Sequence, residues 1–305
     1  MSTNNALDLQ KLPIPDVLEI LDYETILAEV KADFLLLAPQ FEEVINHESE
    51  PVVKQLEFIA YTKLQMMQKI NNSAKAIMLA HASNADLEHL AANEGVSRLV
   101  IDEGNADALP PVLPTYELDD DLRYRTQLAQ ESRTNAGPNG AYIFFARIAH
   151  GNVLDASVIR KVPGTVMLDV YILSRIDNGI ADQTLLDLVS ETLDQETVLP
   201  LCDRVTVYPC TMVEYQIAAT LYFSPGPDRQ VSLAQAQANI EQYTEQQKLI
   251  GRDINTSAIY AALHVSGVEK VDLTLPLIPL TIDNKSAAIC TNITLVDGGI
   301  YDDLL

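Results

Sequence analysis

The sequence predicts an α+β protein, with an N-terminal helical bundle segment followed by two small α+β modules. Three observations carry this. Apolar residues recur at steps of three and four through roughly the first 95 residues, the spacing of amphipathic helices. From Val153 onward the pattern changes to short apolar runs divided by Pro and Gly, the mark of strands and tight turns. The chain has 305 residues, more than the ~100–200 of a usual single domain, so two or three folding units are expected.

The first helix is expected over Asp16 to Leu37, with Val17, Leu18, Leu21, Leu27, Val30, Phe34 and Leu37 on its apolar face. Pro13 and Pro15 precede it, Pro39 ends it, and a break is expected near Tyr23 to Thr25. Pro51 stands where a first-turn proline belongs and opens a longer helix to about Ala80, with no Gly or Pro inside. On it Val53, Leu56, Ala60, Leu64, Met67, Asn71, Ala74 and Met78 form one stripe, and Ile59, Met66, Ile70 and Ile77 a second. Two stripes are too wide for a simple helix pair, so the helix belongs in a bundle. The spacing leaves open whether its companions come from this chain or from another subunit. A short helix over Asp86 to Glu94 follows, with Ser83 or Asn84 as N-cap and Gly95 at its C-terminal end.

Asp102 to Thr115, rich in Asp, Gly and Pro, reads as a linker. Its acidic run does not make a calcium loop, because Gly104 breaks the alternation of oxygen ligands. Asp119, Asp120 and Asp121 sit at the positive end of a helix over Leu122 to Glu131, and Arg123, Arg125 and Arg133 pair with such aspartates more often than with a neighbour. In Asn135 to Ala146, Gly137, Pro138 and Gly140 fix an irregular backbone, and a helix starts at Ala141. Strands at Val153 to Arg160 and Thr165 to Leu173, a helix at Asp182 to Leu193 and a strand at Arg204 to Tyr208 make a ββαβ unit. The second module has a strand at Val213 to Phe223, helices at Leu233 to Leu249 and Ser257 to His264, and strands at Val268 to Leu273 and Ala287 to Val296. The expected division is 1–101, 102–150, 151–209 and 210–305.

Composition bounds the function. Forty-three acidic residues against twenty Lys and Arg give a formal charge of −23, a field that repels phosphate backbones, so nucleic acid is not expected as a partner. Cys202, Cys210 and Cys290 show no CxxC spacing and read as reduced thiols. The first ten residues have no basic or apolar region of a signal peptide, and no apolar run reaches the ~18 residues of a membrane span. His47, His81, His89, His150 and His264 build no metal motif. A hydrolase nucleophile elbow, a P-loop and a dinucleotide-binding glycine pattern are all missing from the sequence. No catalytic, cofactor or metal residue is assigned, and an enzyme, such as a cytosolic hydrolase with an unrecognised active site, is the alternative reading.

The segments Leu12 to Val17, Glu57 to Ala82, Ala85 to Ala91, Ala136 to Tyr142, Asp203 to Val207, Leu221 to Pro227 and Gly251-Arg252-Asp253, in this order and spacing, resemble baseplate J-like proteins of contractile-tailed bacteriophages. The resemblance implies a structural wedge subunit, not an enzyme, assembled in the host cytoplasm and located in the tail baseplate of a phage or related injection particle. Two copies are expected to join one copy of a neighbouring wedge protein through a bundle of N-terminal helices. The later domains would link wedges into a ring around the hub, beside the sheath. With that implication, Val53, Leu56, Leu64, Met67, Asn71 and Met78 become the expected partner interface, and no cofactor, nucleic acid or membrane span is expected.

Overall fold

The computed structural model describes residues 22–134, 137–162, 164–226 and 228–301, together with Leu9 and Leu12. The expected helical turns from Asp16 to Leu21, the Asn135-Ala136 start of the glycine corner, and the turn prolines Pro163 and Pro227 lie outside the described residues. The chain divides into two compact units, Leu7–Ser97 and Arg98–Leu305.

The first unit is helical. α1 (Tyr23–Leu37) starts where the sequence predicted a break, because the Asp22 carboxylate accepts the Thr25 N–H at 2.9 Å and caps the first turn. α2 (Pro51–Ala76) opens on its proline and runs 26 residues, about 39 Å at 1.5 Å per residue. It stops four residues short of the expected Ala80, with Ile77 as C-cap. α3 (Asn84–Asn93) buries Leu87 and Ala91, and Gly95 follows in the left-handed region at φ 75°, where a side chain would be strained.

In the second unit, the stretch expected as a linker folds back on itself. β1 (Val100–Asp102) pairs antiparallel with β2 (Thr115–Tyr116), and Asn105 bridges Val112. Asp102 and Asn105 serve local turns here, since Asp102 accepts the Gly104 N–H at 2.8 Å and Asn105 the Asp107 N–H at 2.9 Å. The base of this hairpin is clamped by Glu117. Its carboxylate takes the Leu99 N–H at 3.0 Å and both Nε, at 3.0 Å, and an Nη of Arg125. Its carbonyl accepts from Arg98, which also reaches Asp119 at 2.6 Å. Glu117 and Arg125 are 3% and 2% exposed, so this pair is removed from water.

α4 (Asp119–Ser132) and α5 (Asn139–Ile148) turn the chain into the modules. α5 starts two residues before the predicted Ala141. Gly137 has φ 62°, as expected, but Gly140 is helical, and its role is space: a methyl group there would stand 1.9 Å from the Glu131 carboxylate. In the first module, β3 (Val153–Arg160) and β4 (Met167–Ser174) are antiparallel, and β5 (Arg204–Pro209) runs parallel to β4 in the order β3-β4-β5. α6 (Gln183–Leu193) provides the crossover and buries Leu185, Leu186, Val189 and Leu193. α5 packs against β3, and α6 against β5.

The second module follows after one residue, Cys210. β6 (Thr211–Phe223) is the central strand of β7-β6-β8, antiparallel to β7 (Val268–Leu275) and parallel to β8 (Ser286–Ile300). α7 (Arg229–Gln247) starts four residues before the predicted Leu233 because Asp228 caps the Gln230 N–H at 3.0 Å. With α8 (Thr256–Leu263), it covers a core of Ile217, Leu221, Phe223, Ala236, Ile240, Ile254, Ile259 and Leu263. The predicted element order of both modules therefore stands, with strand and helix ends moved by a few residues.

Candidate functional site

The sequence stripe on α2 that was expected to meet a partner is largely used inside the chain. Val53 and Leu56 are buried, and Leu64 and Met67 pack with Ala60 against Tyr23, Ile26, Leu27 and Val30 of α1. Asn71 and Met78 are half-buried. A helical stripe fixes a face but not its occupant, and here α1 covers part of that face. Lys63 on α2 reaches Glu29 on α1 at 2.9 Å across the same contact, an exposed pair of small energetic weight.

The second stripe is the one left in water. Ile59, Met66, Ile70 and Ile77 are 50%, 64%, 66% and 74% exposed, and Phe58 beside them is exposed as well. Their steps of seven, four and seven place them along one side of the helix, as on the contact face of a bundle. Leu36 and Leu37, at the C-terminal end of α1, are also exposed. Isolated apolar residues on a surface are ordinary, and this row is the candidate for an interaction surface.

The residues considered for chemistry are dispersed. His47, His89 and His264 are exposed, and His150 accepts the Asn152 N–H through Nδ1 at 3.1 Å. Among the described residues no three His, Cys, Asp or Glu are grouped to hold a metal ion. The basic cluster is satisfied locally in two of its members: Arg123 pairs with Asp120 at 2.5 Å, and Arg125 with Glu117. The Tyr142 hydroxyl donates to Asp203 at 2.6 Å, and burial together with that carboxylate raises its pKa. Burial and the nearby Asp155 push the Cys210 thiol up to about 12, which leaves it protonated and unreactive. Burial likewise raises the carboxyl of Asp155, against the opposing pull of Arg147. A cleft of about 270 Å³ beside Tyr142 and Phe145 is lined on one side by residues 196–201 and presents Glu196 as its one carboxylate among the described lining residues.

Sequence reasoning found the exposed face but gave it second place, because spacing alone ranks the longer stripe higher. It missed the buried group around Asp155 and Arg147 entirely. Those residues lie on different elements, and no local spacing links them.

The chain matches the Baseplate J-like N-terminal domain over residues 48–105, the Baseplate J-like central domain over 134–209 and the Baseplate J-like protein C-terminal domain over 215–296. The last two matches part where β5 gives way to β6. The chain is 44% identical over 298 residues to Baseplate protein J of Escherichia phage P2, covering 96% of this chain and 98% of that protein. Among solved structures it resembles a chain of the anti-feeding prophage baseplate at a TM-score of 0.39 and 14% identity, over 59% of this chain and 44% of that one. The three domain matches and the near full-length relative agree: the chain belongs to the baseplate J-like family.

Proposed function

We propose that this chain is a structural wedge subunit of a contractile-tail baseplate and works by assembly, not catalysis. The observation that carries the reading is the 44% identity, across almost its whole length, to a baseplate protein J. The exposed row Ile59, Met66, Ile70 and Ile77 supports a helical seam to a partner, in place of the seam first drawn through Val53, Leu56, Leu64, Met67, Asn71 and Met78. In this reading residues 1–101 join the helices of a second copy and of a neighbouring wedge protein, and 102–150 connect. The modules 151–209 and 210–305 meet adjacent wedges around the hub, near the sheath. Neither nucleic acid nor a membrane span takes part; no helix among the described residues is long and apolar enough to cross a membrane. Assembly takes place in the bacterial cytoplasm and ends in the tail of a phage or related particle.

The test is co-expression with the products of neighbouring reading frames, followed by size-exclusion chromatography with light scattering. A hetero-complex holding two copies of this chain is expected. Ile59→Glu with Ile70→Glu should leave helix content by circular dichroism unchanged and abolish the complex. A wild-type chain that stays indifferent to every neighbour would overturn the wedge reading, and a double variant that still assembles would overturn the seam.

A further inference from the structure

Two positions next to segments that carry the family resemblance, Arg147 on α5 after the glycine corner and Ile250 before the Gly251-Arg252-Asp253 loop, meet at one buried carboxylate. Asp155 on β3 is 7% exposed. Its Oδ1 accepts from Arg147 on α5 at 3.3 Å, and its Oδ2 accepts the backbone N–H of Ile250 at 3.1 Å. Arg147 also donates to Asp121 on α4 at 3.1 Å and lies 4.7 Å over the Tyr124 ring. The other oxygen of Asp121 accepts from Arg175 at 2.7 Å, and Arg175 Nε donates to the Gly151 carbonyl at 2.9 Å. Asp155 thus stands at the edge of a network that ties α4, α5 and the first sheet, and from it reaches across to the second module.

Ile250 is the receiving point. Its backbone bridges Ala287 at the start of β8, and its side chain joins the small apolar cluster of Leu173, Cys210 and Ala287 with Leu154, Tyr171 and Met212. Asp253 fixes the same loop by accepting the Ile282 N–H at 2.8 Å. Between the modules the chain itself offers one residue, Cys210, whose N–H bonds the Ile172 carbonyl at 2.9 Å. An apolar cluster this small permits sliding, whereas a carboxylate bonded on both oxygens is directional and is costly to bury unless both bonds are kept.

We propose that Asp155 and the Ile250 N–H form a latch that makes the two α+β modules move as one rigid lever, so that the Cys210 junction does not act as a hinge. The lever would pass motion on to neighbouring subunits instead of absorbing it by bending.

Amide hydrogen exchange on the full chain tests this first in the wild type. The Ile250 amide should be protected to the same degree as core amides of β4 and β6, such as Ile172 and Ile217. Exchange of Ile250 at the rate of an open loop would overturn the latch. In Asp155→Ala the Ile250 protection should fall by at least about tenfold, the loss of one charge-assisted hydrogen bond, while Ile172 and Ile217 stay protected. Calorimetry should then resolve separate transitions for the two modules. An alanine variant with unchanged Ile250 protection and undivided melting would refute the proposal, and if that variant fails to fold the wild-type exchange pattern decides.

Discussion

Replacing Glu117 by Ala removes a carboxylate that serves three donors at the base of the β1–β2 hairpin. The Leu99 N–H and the Nε and Nη of Arg125 all lose their acceptor, and Arg125 is 2% exposed, so water does not replace it. Breaking a buried ion pair from one side costs about 3–5 kcal/mol, because a charge is left uncompensated. The exposed Lys63–Glu29 pair sets the contrast, since pairs of its kind are worth about 1 kcal/mol or less. For a unit the size of Arg98–Leu305, each kcal/mol moves the midpoint by roughly 2–4 °C, so a fall of about 10 °C is expected. The double variant Glu117→Leu with Arg125→Met should recover most of this, because an apolar pair of similar volume often replaces a buried ion pair without loss. Urea denaturation of the wild type, both single variants and the double variant measures the coupling directly. A single-variant cost below about 1 kcal/mol, or strict additivity of the two changes, would refute the view that this clamp is a desolvated pair.

Gly140→Ala should be close to neutral, since a helix-propensity gain of up to about 1 kcal/mol is set against moving the end of the Glu131 side chain, which stands 1.9 Å from the added methyl group. Adding Glu131→Ala should make the change stabilising in the same urea assay. Asp155 gives the pH dependence. Burial raises its folded pKa above the ordinary carboxylate value, so its contribution to stability is fully present below the unfolded value and is lost as pH rises through the folded one. Asp155→Asn keeps an acceptor for Ile250 and carries no charge, so its stability relative to wild type should improve between pH 4 and pH 7. Parallel stability curves over that range would sink the assignment.

The elements most legible in the sequence were those whose signal is local. α2 announces itself through Pro51 and its apolar steps, and α6 through Asp182, whose carboxylate caps the Leu185 N–H at 2.9 Å. The hairpin from Val100 to Tyr116 reads as a linker in the sequence because its strands are three and two residues long and their partners lie across a Pro-rich excursion. The candidate interface was half legible: both stripes on α2 could be counted, but which one α1 would cover depends on tertiary packing that no stripe encodes. The Gly251-Arg252-Asp253 segment was recognisable as a signature, while its physical work, holding Ile282 from 29 positions away, was not.

The pairing of β6 with β8 sets an order of events during synthesis. The first module holds all its strands once Pro209 has left the ribosome, so its sheet closes while the rest of the chain is still being made. Thr211 must wait for Ser286, about 75 residues later, before the central strand of the second sheet gains its parallel neighbour. Contacts so distant in sequence are slow to form, and through that interval the apolar residues Ile217, Leu221 and Phe223 lack part of their cover. A nascent chain stalled before Ser286 therefore holds every strand of the first sheet and lacks one edge strand of the second.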